Sequence, residues 1–174
     1  MKQTTYDSFP WPLVAICNGV GMSIWFIGAY LLYILSPLLI VPYAMYCIWI
    51  ELRILTTSCR RCYYYGRPCA FGKGLVCSRV VTRLPQDEFA DRQISWRDVA
   101  PDFLVSLIPL AAGAVFLVRS FSWLTLSLMI LLILLSSAGT GLARGQIACK
   151  YCKQREIGCP AERLFSKKGG ECEG

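Results

Sequence analysis

Four uncharged stretches, most of them close to the length of a bilayer crossing, limit the fold of this chain more than any other feature. Residues 13–36 and 38–50 carry no charge, and the second run continues through Glu51 and Arg53 to Thr57. Residues 103–118 close at Arg119, and residues 121–143 close at Arg144. A hydrocarbon core about 30 Å thick takes roughly 20 helical residues to cross. No water there can satisfy a bare backbone, so such stretches are driven to helix. The expected fold is an all-α membrane protein with four transmembrane helices. The first two meet at Ser36-Pro37 and the last two at Arg119-Ser120. Links that short predict two tandem antiparallel hairpins. The chain is 55% hydrophobic and only 17% charged, where soluble domains carry about 25%. That balance excludes a disordered chain and an ordinary soluble globule. The first block is long for a signal peptide and no small-residue cleavage site follows it, so it is read as a span. Trp11, Trp25, Trp49, Trp96 and Trp123 fall mostly near expected helix ends, as an aromatic belt would.

Lysine and arginine give the sidedness. Arg60, Arg61, Arg67, Lys73, Arg79, Arg83, Arg92 and Arg97 lie between the second and third spans. Arg144, Lys150, Lys153, Arg155, Arg163, Lys167 and Lys168 follow the fourth, while the opposite face has only Arg119. The positive-inside rule places both termini and the middle segment in the cytoplasm, in an inner or plasma membrane. The net charge of +7 is accounted for by anionic headgroups and implies no nucleic acid.

The two halves repeat. Pro12 and Pro101 each open a hairpin, and Cys59 and Cys149 lie 47 and 48 residues on. Cys59, Cys62 and Cys69 share the spacing C-x2-C-x6-C with Cys149, Cys152 and Cys159, and Cys77 and Cys172 trail the two sets. The expected organisation is a first unit at 1–84 with its cysteine loop at 59–77. An interfacial link follows at 85–100, then a second unit at 101–174 with its loop at 149–172. In the link, Pro85, Gln86, Asp87 and Glu88 read as a helix start, with Phe89, Ile94 and Trp96 toward lipid. Ser95 with Asp98 reads as a capping box.

These eight cysteines are the candidate metal ligands. A cytoplasmic setting keeps thiols reduced, so paired, loop-borne cysteines point to metal rather than disulfides. CxxC places two thiolates from one turn on adjacent corners of a tetrahedron, and later cysteines supply the rest. Gly66, Gly72, Gly74 and Gly158 let the chain turn around an ion. Arg60, Arg61, Arg67, Lys150, Lys153 and Arg155 are expected to lower the thiol pKa values. The chain has no histidine, which removes His-ligated haem and any His-containing zinc site or catalytic dyad. Zn2+ or a [4Fe–4S] cluster fits four thiolates, as two four-cysteine sites or one shared bimetallic site. Cys159-Pro160 resembles the Cys-Pro that ends many ferredoxin motifs. The stretch from Ala148 to Cys159 locally resembles the fungal binuclear zinc cluster, which implies six cysteines around two zincs. Here the two half-motifs are separated by two spans.

Cys17 and Cys47 are read as packing residues within spans. Glu51 and Arg53 are expected to pair or snorkel near the membrane surface. Asn18 is expected to bond between helices, and Gly19, Gly21, Gly28, Gly113, Gly139 and Gly141 to mark close packing, with Ser136 and Ser137 alongside. Pro42 and Pro109 are expected to kink their helices. Tyr63, Tyr64 and Tyr65 are expected to shield the first metal. The reading is a small metal-bearing membrane subunit that docks a cytoplasmic protein partner, with a homodimer compatible with so thin a bundle. Its rivals are an iron–sulfur subunit passing electrons to a membrane quinone and a metal-handling transporter or chaperone. No motif names an enzymatic reaction.

Overall fold

A computed structural model describes residues 5–86, 89 and 95–160. The described chain is helical and contains four helices long and apolar enough to cross a membrane: Trp11–Leu35, Pro37–Arg61, Trp96–Arg119 and Trp123–Cys149. We label the regular α-helices α1 (Trp11–Leu35), α2 (Ile40–Thr57), α3 (Lys73–Val80), α4 (Trp96–Arg119), α5 (Trp123–Leu134) and α6 (Lys153–Ile157). Cys172 and link residues Asp87, Glu88 and Ile94 lie outside the described residues.

Local chemistry explains the boundaries. α1 stops at Ser36, whose backbone is extended (φ −164°, ψ 124°), because Pro37 crowds an α-conformation in the residue before it. α4 opens on the Ser95–Asp98 capping box expected from the sequence, with the Ser95 N–H donating to Asp98 Oδ2 at 2.9 Å. It therefore begins at Trp96, and Pro101 lies inside the helix rather than opening it. Pro42 sits in the first turn of α2, where its missing N–H has no intrahelical partner to lose, so no kink is required of it. Beyond α5 the helix continues with wider turns through Leu135–Gly139 and Leu142–Cys149. Hydrogen bonds to the fifth residue typify such turns. The fourth span thus runs past Arg144 to Cys149, farther than the charge pattern suggests.

The spans pack around Ile24, Leu31, Tyr43, Cys47, Val105 and Leu132. Tyr43 donates to the Val105 carbonyl at 3.0 Å, Tyr46 to the Pro101 carbonyl at 2.8 Å, and Arg53 to the Asp98 carbonyl at 2.7 Å. α2 and α4 therefore meet in opposite directions. A Cβ on Gly28 would run into the Tyr43 hydroxyl, and one on Gly113 would press on Met129. Gly28 and Gly113 therefore mark close packing, while a Cβ on Gly139 would meet Val20 only at an ordinary contact distance of 3.4 Å. Gly19, Gly21 and Gly141 do not mark close packing, since the space beside each is open. Asn18 bonds within its own helix, donating to the Val14 carbonyl at 2.9 Å, and Ser137 likewise turns back on the Ile133 carbonyl at 2.6 Å. Cys47 is buried in this core, and Cys17 is buried in a second apolar cluster with Phe9, Val14, Tyr64 and Ala70, both as packing residues are. One end of the bundle gathers residues 5–9, 59–86 and 149–160, while the turns at Ser36 and at Ser120 form the other.

Candidate functional site where the two cysteine motifs meet

The first motif follows α2 and the second follows the fourth span, and a short N-terminal strap holds both. The Tyr6 N–H donates to the Tyr151 carbonyl at 3.1 Å, and the Phe9 N–H to the Pro68 carbonyl at 2.9 Å. Phe9 is buried, with its ring against those of Tyr6 and Tyr64. The Tyr64 hydroxyl donates to the Tyr6 carbonyl at 2.6 Å and accepts the Lys153 N–H at 3.0 Å. Gln154, 2% exposed, takes the Tyr63 N–H on its Oε1 at 2.7 Å and donates through Nε2 to the Gly158 carbonyl at 3.0 Å. Cys62, Cys69 and Cys152 rest against the apolar cluster built by Phe9, Val14, Tyr64 and Ala148.

The predicted ligands fall into different settings. Cys59 opens a tight turn, Cys59–Arg61, and Cys62 follows it. Gly72 then turns the chain in the left-handed region (φ 65°) to start α3, a conformation that costs glycine little. Cys77 is therefore on a helix rather than in a loop, fully buried, with its Sγ directed at the Leu55 carbonyl at 3.5 Å. Cys149 closes the fourth span and is exposed, and Cys152 caps α6. None of the described cysteines is in a disulfide. Among the described residues, no three Cys, Asp or Glu side chains are grouped to hold a metal ion. Glu51 pairs with Lys73 at 2.7 Å and so ties α2 to α3. With Arg53 bound to the Asp98 carbonyl, both charges have the structural partners expected of them.

Burial rather than charge sets the thiol chemistry. It pushes Cys62 up to about 12 and Cys152 up to about 11, and raises Cys77 as well. These thiols are protonated at neutral pH, so any metal must displace their protons. The expectation that neighbouring cations bring these values down is corrected, because desolvation is the largest effect on each thiol, and three of the six cations face rings. Arg67 and Lys153 lie over Tyr63, and Lys150 lies over Tyr151. Arg60 is different. Its charge partly offsets the effect of burial on Cys77, and its Nε is buried without a hydrogen-bond acceptor.

Lys153 also binds Asp7, which accepts from the Tyr63 hydroxyl at 2.8 Å. The Lys153 and Tyr63 hydrogen bonds hold Asp7 below its ordinary 3.8, and the Asp7 hydrogen bond holds Lys153 above its ordinary 10.5. A lowered acid stabilises above its unfolded value and loses that effect as pH falls through the folded one. A raised base stabilises below its unfolded value and loses that effect as pH rises through the folded one. The strap should therefore hold steadily between 3.8 and 10.5 and loosen only outside them. Hydrogen exchange at the Tyr6 amide, corrected for intrinsic rates, checks this; loss of protection near neutrality contradicts it.

No protein-family model, curated protein or solved structure matches the chain. The strap and Gln154 are the site residues that sequence reasoning missed. The only local signal was the density of Tyr and Phe beside each motif.

Proposed function

We propose that this chain is a four-span membrane protein, built as two tandem hairpin units, whose cysteine motifs form a structural thiolate metal centre of zinc type on the cytoplasmic side. The centre would stiffen that end as a platform for a cytoplasmic protein partner. The observation that carries the reading is the meeting of two C-x2-C-x6-C motifs at one end of the bundle, joined by Tyr63, Tyr64 and Gln154. Arg60 supports it, because its charge partly offsets the burial of Cys77 and would favour a bound thiolate there. The fifteen bases that the sequence carries between the second and third spans and after the fourth, against Arg119 alone in the turn between the third and fourth, support the cytoplasmic side. A thiol-redox role fits less well, since Cys62 and Cys152 are held protonated.

Metal analysis of the anaerobically purified protein, with its absorption spectrum, tests the proposal. The expected result is colourless protein with bound zinc, lost to a chelator together with thermal stability. Brown protein with an EPR signal on reduction would favour the iron–sulfur electron-transfer reading instead. Protein free of metal at full stability would end both.

A further inference from the structure

α3 is fastened to the spans along its whole length. At its start, Lys73 pairs with Glu51 of α2 at 2.7 Å. Just before it, a Cβ on Gly72 would lie 3.4 Å from Val14, in the first turn of α1. Midway, the Cys77 Sγ is 3.5 Å from the carbonyl of Leu55, in the last turn of α2. Beyond its end, the Leu84 N–H donates to the Arg60 carbonyl at 3.0 Å. α3 therefore lies level with the ends of two spans, where the hydrocarbon core gives way to headgroups. Its sides differ. Gly74 and Cys77 are buried against the protein. Val76 and Val80, one turn apart on a common face, are 51% and 61% exposed. Arg79 and Arg83 are exposed beside them, and the Arg83 guanidinium lies 5.8 Å over the Tyr65 ring. The adjoining α2 exposes Ile48, Trp49 and Leu52, as a lipid-facing span does.

We propose that α3 is an interfacial arm: Val76 and Val80 lie among acyl chains beside α2, and Arg79 and Arg83 bind the phosphates of anionic phospholipids. An exposed apolar ridge flanked by bases is the make-up of a helix that lies in the interface. The spans set its level, so the ridge meets the leaflet without any movement of the chain. Anionic headgroups complement the two arginines, and each base near such a surface strengthens binding about fivefold. A second copy of the chain complements them poorly. A twofold contact through this ridge would set Arg79 and Arg83 against the same residues of the other copy. The segment after Cys69 is thus part of the membrane-bound body rather than a loop in solution. It holds Cys77 at the membrane surface whether or not the motifs bind a metal.

Photocrosslinking of the full chain in nanodiscs of equal parts phosphatidylcholine and phosphatidylglycerol tests the arm. The probe p-benzoylphenylalanine is placed in turn at Val76, at Val80 and, as a reference within a span, at Ile48, all of them exposed. Lipid adducts are expected at all three positions. The ratio of phosphatidylglycerol to phosphatidylcholine in the adducts at 76 and 80 should exceed that at 48 on the order of fivefold. Adding Arg79→Gln and Arg83→Gln should bring it down to the reference. Adducts at 48 with none at 76 or 80 would overturn the arm. Crosslinks between two copies of the chain would overturn it too and assign the ridge to a dimer. Lipid adducts with the reference ratio would overturn the phosphate-binding role of the arginines. The unaltered chain gives a second measure. Amide exchange across α3 should be slower in nanodiscs containing phosphatidylglycerol than in phosphatidylcholine alone, and equal exchange would contradict the proposal.

Discussion

Gly74→Ala is expected to break the first motif while leaving the spans helical. Gly74 lies in the first turn of α3, and a Cβ there would fall on the backbone carbonyl oxygens of Tyr64 and Arg67. Neither can swing aside as the end of a flexible side chain would. Both belong to the segment that also carries the Gly66 N–H to Gly74 carbonyl bond at 3.0 Å. The added methyl must push α3 away from the Tyr64–Arg67 backbone, and α3 carries Cys77. Overpacking typically costs about 1–3 kcal/mol, and a clash with fixed backbone belongs at or above the top of that range. The readout is alkylation of Cys77, which is fully buried in the native chain. Rapid modification with unchanged far-ultraviolet helicity is the expected result. Gly19→Ala, where the neighbouring space is open, should be close to silent. Equal behaviour of the two variants would show that α3 does not pack as described.

Gln154→Leu is expected to separate the second motif from the first. Leucine has a similar bulk but neither accepts from the Tyr63 N–H nor donates to the Gly158 carbonyl. Both partners then lose a bond at a site that is 2% exposed. An unsatisfied buried polar group costs about 1–3 kcal/mol, and both bonds are part-buried, so the junction should weaken by at most roughly 2–6 kcal/mol in all. Expected are a lower melting temperature and faster alkylation of both Cys62 and Cys152. An unchanged melting temperature and unchanged alkylation would mean that Gln154 does not join the motifs.

The spans were legible because length and absence of charge are properties of the chain itself, and the Ser95–Asp98 cap was legible because its partners are three residues apart. Glu51 and Arg53 were readable as structural charges from their closeness to the end of a span. The strap was not, because Tyr6, Asp7 and Phe9 have no periodicity and act through partners far along the chain. The bond between Thr5 and Glu156 spans 151 positions, and that between Tyr63 and Gln154 spans 91. Asn18 misled because an amide in a span suggests a neighbouring helix, while its own Val14 carbonyl was nearer. The thiol environment misled because sequence shows how many cations are near a cysteine but not how deeply the folded chain buries its sulfur. Cys149 looked like a loop residue because Arg144 seemed to end the span, yet the wider turns carry the helix past it.

The account depends on the end that holds both motifs facing the cytoplasm. Exposed Arg67 lies at that end and exposed Ser120 at the other. The direct measurement is labelling of Arg67→Cys and Ser120→Cys variants with a membrane-impermeant maleimide in sealed right-side-out vesicles. The account predicts that the cysteine at 120 reacts at once and the cysteine at 67 only after the membrane is opened. Reaction at 67 in sealed vesicles, with none at 120, would contradict it.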